Sequence, residues 1–396
     1  MPLTNRISRR AFSQLLIGAG CSSVLAGCGT LAMAAADAAI PLKTWAERKG
    51  MRFGNAMGIS VGGARKGVRF QDPAYRDLMA RECDTLVAEN ETKWQALRPR
   101  PGEFRFAQAD EMFTWAKQQG MFIRGHTLLW QGSKWLPKWV NEHDFGATPA
   151  REAERLLAEH IGTVCDHFGK DIYSYDVVNE AVDPADGSLR VNVFTERLGA
   201  VEQIDLAFRL AHDHAPHAQL VYNDYMRWDA GSAKHRGGVL KLLHTLKSRG
   251  TPVQALGLQS HIGSWDDTKA TAANGEPVRE WRKFLDEVTG MGFDLLITEF
   301  DINDRKLPGD IALRDAGVAA LARDYLDLTL SYPQLRDFLL WGMADHVSWL
   351  QDWYEAPRTD GLPMRPCPFD AQFQPKPLRT AIAEALRTMP ARTARV

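Results

Sequence analysis

The chain has 396 residues but few cysteines, almost no net charge and no apolar run of membrane-spanning length. Each shortage excludes a class of protein. Five cysteines with no CxxC pair make neither a disulfide framework nor a zinc ribbon. Cys83, Cys165 and Cys367 are expected to be small buried apolar groups. The 48 Lys and Arg offset 49 Asp and Glu to a net charge of −1, so neither nucleic acid nor an anionic surface is indicated as the main partner. No HExxH motif is present. The one histidine cluster, His212-Asp213-His214 with His217, lies at a predicted helix end around Pro216, where capping or solvation accounts for it. No metal and no cofactor is expected. What the chain does have is tryptophan: 12 residues, several in predicted loops where an indole can stack on a flat ligand.

The first 40 residues read as a targeting segment. Ser8-Arg9-Arg10-Ala11-Phe12 has the form of a twin-arginine export signal, followed by the apolar run Leu15–Ala26. That run is too short and glycine-rich to span a bilayer comfortably. Leu25-Ala26-Gly27-Cys28 then has the form of a bacterial lipoprotein processing box, with Cys28 the lipidated first residue of the mature chain. The alternative is cleavage within Leu31–Ala39, which releases a free enzyme. Either way the expectation is an exported protein, periplasmic or at the cell envelope, that works as a monomer.

From about residue 45 to 390 no low-complexity linker or composition break appears, so residues 41–390 are expected to form one domain. Short apolar runs alternate with amphipathic stretches. The predicted strands are Phe53–Met57, Thr85–Glu89, Phe122–His126, Tyr173–Asn179, Leu220–Asp224, Ala255–Gln259, Leu295–Glu299 and Phe338–Gly342. Predicted helices include Arg151–Phe168, Val201–His214, Lys234–Ser248 and Ala316–Leu330. Strand–helix alternation repeated eight times predicts a parallel (β/α)8 barrel of the TIM type.

The strand ends carry a further pattern. In order they bear Asn55, Glu89 with Asn90, His126, Asn179 with Glu180, Asn223 with Asp224, Gln259 with His261, Glu299 with Asp301, and Trp341. A barrel gathers these ends on one face, where the active sites of this architecture lie. Glu180 and Glu299 stand on strands that face each other across the mouth. Two carboxyl groups so placed suit glycoside hydrolysis, at about 5–5.5 Å apart for retention or about 6.5–9.5 Å for inversion. Glu299 has His261 and Asp301 near it to orient it and keep it ionised, as a nucleophile requires. Glu180 lies in the more apolar Asn179-Glu180-Ala181-Val182 setting, which raises a carboxyl pKa toward that of an acid. Asn179 can bond the sugar 2-OH.

In these residues the chain resembles glycoside hydrolase family 10, the (β/α)8 endo-β-1,4-xylanases. The resemblance runs in order through Phe53-Gly54-Asn55-Ala56, Glu89-Asn90-Glu91-Thr92-Lys93-Trp94, Arg124-Gly125-His126-Thr127-Leu128-Leu129-Trp130 and Asp176-Val177-Val178-Asn179-Glu180-Ala181. It continues through Tyr222-Asn223-Asp224-Tyr225, Gln259-Ser260-His261-Ile262, Thr298-Glu299-Phe300-Asp301 and Trp341 to Trp349. It implies a retaining enzyme with Glu180 as acid/base and Glu299 as nucleophile. It implies that Gln259 and His261 partner the nucleophile, with Asp301 behind the histidine. Glu89, Asn90, Lys93, His126 and Trp130 match residues that hold sugars on the non-reducing side. Trp341 and Trp349 match the floor and cover of the cleaving subsite, and Tyr225 an aromatic contact. The implied partner is a xylan-type polysaccharide or oligosaccharide.

Three departures bear on specificity. The family's His-x-Gln after the Trp is replaced by Gln131-Gly132-Ser133-Lys134-Trp135-Leu136-Pro137, about two residues longer. The glutamine so lost helps the family reject the hydroxymethyl group of glucose, which leaves a β-1,4-glucanase or a mixed-specificity enzyme as the alternative. Met226 stands where an Asn usually follows the Tyr, and the proline-rich stretch Pro357–Phe369 is expected to reshape the leaving-group side.

Two other readings compete. Gly58-Ile59-Ser60-Val61-Gly62 matches the GxSxG of esterases, but it runs into a glycine-rich loop rather than the helix that an elbow needs. A non-catalytic, envelope-anchored glycan-binding lipoprotein would also display tryptophan platforms, yet it has no need of both Glu180 and Glu299.

Overall fold

The computed structural model describes residues 40–59, 70–264 and 275–392. Ser60 of the GxSxG match and Cys28 of the processing box lie outside the described residues. The strands are β1 (Arg52–Met57), β2 (Thr85–Ala88), β3 (Phe122–Trp130), β4 (Ile172–Asn179), β5 (Gln219–Asp224), β6 (Ala255–Leu258), β7 (His261–Gly263), β8 (Asp294–Asn303) and β9 (Leu335–Leu340). Pairing is parallel throughout, β1 through β6 in order, then β6 to β8, β8 to β9 and β9 back to β1. The eight-stranded barrel is therefore closed, and β7 is a short extra strand on the upper half of β8. After the barrel strands come α1 (Pro73–Glu82), α2 (Ala107–Gln118), α3 (Pro149–Phe168), α4 (Ala200–His214), α5 (Ala233–Ser248), α6 (Glu276–Gly290), α7 (Ile311–Thr329) and α8 (Pro377–Thr388).

The elements form where the residue pattern asks for them. Barrel strands are covered on both faces, so they read as unbroken apolar runs, and Leu86, Val87, Val177, Val178, Leu256 and Leu296 are all fully buried. Helix α3 starts on Pro149, whose missing N–H is no loss in the first turn. It buries Ala153, Leu156, Leu157, Ile161, Val164 and Phe168 along one stripe and stops at Gly169, whose φ of 51° few other residues tolerate. Cys83, Cys165 and Cys367 are free and buried. His214 contacts Asp166 at 2.9 Å and His217 contacts the Ile172 carbonyl at 3.2 Å, which ties the end of α4 to its neighbours.

Two strands are longer than the sequence suggests, and both differences matter at the mouth. Strand β3 continues past His126 to Trp130 through an irregularity between His126 and Leu129. Strand β8 continues past Glu299 to Asn303, so Glu299 lies within a strand rather than at its tip. The cause is β7, whose His261, Ile262 and Gly263 pair with Asp301, Ile302 and Asn303. The three-residue β7 is too short to register in sequence periodicity. Its effect is to bring His261 against Asp301.

Inside the barrel a buried ion pair supports the mouth. Arg124 on β3 donates to Asp176 on β4 at 2.5 Å, with both side chains about 1% exposed. Burial alone would raise the Asp176 pKa, but Arg124 and His126 together outweigh it and hold the carboxylate low. The second Asp176 oxygen meets His126 Nδ1 at 2.9 Å, so a charge deep in the barrel fixes the orientation of a ring at its mouth.

Candidate active site

A cleft of about 900 Å³ opens at the C-terminal end of the strands. It brings together Glu89, Asn90, Lys93, His126, Trp130, Asn179, Glu180, Tyr225, Gln259, His261, Glu299, Trp341 and Trp349. Asp301 stands behind His261, as the spacing predicts.

Glu180 follows the last residue of β4 and takes a left-handed conformation, φ 58°. A non-glycine residue held there costs on the order of 1–3 kcal/mol, so the surroundings must enforce it. The Glu180 N–H donates to the Asn223 carbonyl at 2.9 Å, which pins the turn to β5. Ser260 is likewise left-handed at φ 62°, between β6 and β7. Its hydroxyl bonds the Leu258 carbonyl at 3.1 Å and lies 2.7 Å from the Tyr325 hydroxyl. That turn lets Gln259 and His261, on either side of it, both reach the carboxylates.

Each carboxylate has its own partners. Gln259 Nε2 donates to Glu180 Oε1 at 3.0 Å and to Asn179 Oδ1 at 3.2 Å. Gln259 therefore serves Glu180, not Glu299 as the resemblance implies. The carboxamide on Glu299 is instead Asn223, whose Nδ2 donates to Glu299 Oε1 at 2.8 Å and to Asn179 Oδ1 at 2.9 Å. Thr298 donates to Asn223 Oδ1 at 2.7 Å, so all of that side chain is committed. A Cβ at Gly257 would collide with the same carboxamide, so glycine keeps its place clear. The Asn179 amide nitrogen sits 3.3 Å from Glu180 Oε1. One continuous chain of hydrogen bonds thus runs from Glu180 through Gln259, Asn179 and Asn223 to Glu299.

The other Glu299 oxygen lies 3.3 Å from His261 Nε2, and His261 Nδ1 lies 2.9 Å from Asp301 Oδ1. Trp349 completes this relay, its indole N–H donating to Asp301 Oδ2 at 2.6 Å. Glu299 is buried and Glu180 partly so, and their neighbours divide them. Burial raises the Glu180 pKa, and the charges of Asp224 and Glu299 add to the effect. The Gln259 amide and the Trp130 indole, which points at Glu180 without making a well-formed hydrogen bond, offset only part of that rise. Burial also opposes the charge on Glu299, but His126, 3.9 Å away, and His261 overcome it and hold the pKa low. For His261, burial favours the neutral ring, yet Asp301 and Glu299 outweigh it and lift the pKa to about 10. The surroundings therefore push the two carboxyl groups apart, Glu180 toward the acid form and Glu299 toward the carboxylate, with an imidazolium behind Glu299 at neutral pH.

Lys93 Nζ donates to Asn90 Oδ1 at 3.0 Å and sits 4.7 Å above the Trp130 ring. Burial lowers its pKa, against the pull of Glu299, Glu89, Glu180 and Glu91. Tyr225 spends its hydroxyl on Arg190, which donates at 2.6 Å. Trp353 and Glu355, just before the proline-rich stretch, line the cleft, while Pro357–Phe369 does not line it and is tied to the segment after β8. Arg358 donates to the Asp304 carbonyl at 2.5 Å and Arg314 to the Pro363 carbonyl at 2.6 Å. The substituted Met226 is buried.

Several residues in and behind the cleft wall escaped the sequence reading. Asn223 showed itself as a strand-end amide but had no assigned job. Asp176 had no visible signal beyond its place before Asn179 and Glu180. Trp135, Lys134, Arg190 and Arg227 lie on loops, where periodicity says nothing about direction.

Comparison with known proteins agrees with this geometry. The model of glycosyl hydrolase family 10 matches residues 42–385. The endo-1,4-beta-xylanase B of Paenibacillus barcinonensis is 31% identical over 317 residues, which cover 76% of this chain and 88% of that protein. Exoglucanase XynX of Acetivibrio thermocellus is 30% identical over 84% of this chain but only 29% of its own length. The crystal structure of xylanase 10B from Thermotoga petrophila in complex with xylobiose superposes with a TM-score of 0.75 at 27% identity, covering 88% of this chain and 97% of that one.

The raised His261 pKa has a measurable consequence for stability. A group protonated more readily in the folded than in the unfolded state adds stability that is complete below the unfolded value. Here that stability is lost as pH rises from the ordinary histidine value of 6.5 through about 10. Urea unfolding should find His261→Gln less stable than the wild type at pH 6, with the gap closing toward pH 10. A gap that stays constant over that window would mean that His261 is neutral in the fold.

Proposed function

The chain belongs to glycosyl hydrolase family 10, and from that premise we propose that it is an endo-acting β-1,4-xylanase that retains anomeric configuration. The observation that carries the reading is the opposite pKa shift of two carboxyl groups joined by one hydrogen-bond chain. Ionised Glu299 attacks the anomeric carbon as the bond to the leaving oxygen breaks, and that oxygen takes the proton of Glu180. Glu180, now a carboxylate, then accepts a proton from water, whose oxygen displaces Glu299 from the sugar and regenerates both groups. Asn179 bonds the sugar 2-OH in this scheme. Glu89, Asn90, Lys93, His126 and Trp130 hold the sugars on the non-reducing side. Trp341 and Trp349 floor and cover the reacting ring, and Tyr225 contacts the substrate from the side.

A glucan-cleaving reading is favoured by one observation. The Gln131 side chain is buried on Gln203 at 2.9 Å instead of facing the cleft, and Ser133, small and exposed, lines the wall. The partial match to a relative named exoglucanase is consistent with it. The proposal further sets the enzyme at the cell envelope, exported by the Ser8–Phe12 signal and anchored through lipid on Cys28; its support is the sequence of that segment.

Turnover of matched xylo- and cello-oligosaccharides should favour the xylose series; the opposite order would select the glucanase, and no hydrolysis of either the binding lipoprotein. Glu180→Ala should lose on the order of 10²–10⁴-fold with these poor leaving groups but far less with activated aryl xylosides. Equal losses on both would refute the acid/base role. Glu299→Ala should be inactive on both. Cys28→Ser should leave the membrane fraction, and continued membrane association would refute the anchor.

A further inference from the structure

The residues that replace the family's His-x-Gln build a stack of four groups along one wall of the cleft. Trp130 and Trp135 lie face to face, with ring centroids 4.0 Å apart and planes 12° from parallel. Lys93 Nζ stands 4.7 Å over the Trp130 ring and Lys134 Nζ 4.6 Å over the Trp135 ring. A ring face in contact with a parallel indole has no room for an ammonium group, so the two lysines cap the outer faces. The order is Lys93, Trp130, Trp135, Lys134.

The two ends of this stack are unlike. Lys93 is buried and bound to Asn90, so the inner face of Trp130 is permanently covered. Trp130 therefore offers a sugar only its edge. Lys134 is exposed, and its contact with the ring is of the weak, solvated kind that a ligand displaces easily. Trp135 is half-buried and lines the same cleft as the carboxylates.

The segment carrying Trp135 is anchored rather than loose. Gln131 is tied to Gln203 at 2.9 Å, and its carbonyl accepts from Asn192 at 2.9 Å. Asn141 donates to the Ser133 carbonyl at 2.9 Å, and the Trp135 N–H to the Gly132 carbonyl at 2.9 Å. A Cβ at Gly132 would come within 3.0 Å of the Trp135 ring, so the backbone itself buttresses the indole. A flat, preorganised aromatic face under a displaceable cation is what a pyranose ring needs, since its axial C–H groups pack on the ring while its equatorial hydroxyls stay wet.

We propose that the outer face of Trp135 is an added sugar-binding subsite, continuous with the cleft on its Trp130 side, for a further β-1,4-linked pyranose of a long chain. The proposal rests on the glycanase reading above and extends it. It makes Trp135 a residue that selects for chain length and takes no part in bond cleavage.

The test is a length series, xylobiose to xylohexaose, beside an aryl β-xylobioside too short to reach the wall. In Trp135→Ala the KM should rise about tenfold for the long chains with kcat held, while the aryl substrate is unaffected. Trp135→Tyr, which restores a ring, should recover most of the loss. An equal loss on every substrate, aryl xylobioside included, would overturn the proposal by making Trp135 a mere brace for Trp130. So would no change at any length. If the wild type cleaves neither xylo- nor cello-oligosaccharides, the glycanase reading falls on its own account. The platform is then tested by tryptophan-fluorescence titration with xylohexaose and cellohexaose, and equal affinity of wild type and Trp135→Ala for both would refute it.

Discussion

The structure turns on pulling the pKa values of two carboxyl groups in one cleft apart. At the spacing of about 5–5.5 Å that retention requires, two like charges at an effective dielectric of about 20 repel by about 3 kcal/mol, roughly two pKa units. Burial adds to the penalty, and the neighbours decide which group's pKa rises. Here Glu299 faces His126 and His261, and Glu180 faces Asp224 and neutral amides. The same few side chains that position the two groups also set their charge.

Most of the barrel above and around the site serves that division. The Arg124–Asp176 pair aims His126, β7 presses His261 against Asp301, and Trp349 donates to the far side of Asp301. Left-handed turns at Glu180 and Ser260 point the key groups inward. Strain of this kind belongs where function overrides local preference, and both residues adjoin the hydrogen-bond chain. The Gln131–Pro137 wall is separate from this machinery. None of its residues touches either carboxylate, and the proposed role of Trp135 there concerns chain length alone.

Much of this was legible in the sequence. Burial on both faces made the strands continuous apolar runs, so the eight barrel strands could be located, and the polar residue ending each run marked the mouth. Glu180, Glu299, His261 and Asp301 could be read because their partners sit one or two residues away or at the next strand end. Three things could not be read. The reach of β8 beyond Glu299 depends on pairing with β7, a contact across 40 residues. The exchange of partners between Gln259 and Asn223 depends on side-chain direction after a left-handed turn. The Lys134–Trp135 stack lies on an irregular segment with no period to follow.

The division of charge is the central claim, and it is directly measurable. With 13C-labelled glutamate carboxyls, the signals lost in Glu180→Gln and Glu299→Gln identify the two groups in the wild type, and their chemical shifts can be followed against pH. The account predicts that Glu299 titrates below the ordinary glutamate value of 4.5 and Glu180 above it. The reverse order, or two carboxyls that titrate together near 4.5, would contradict it.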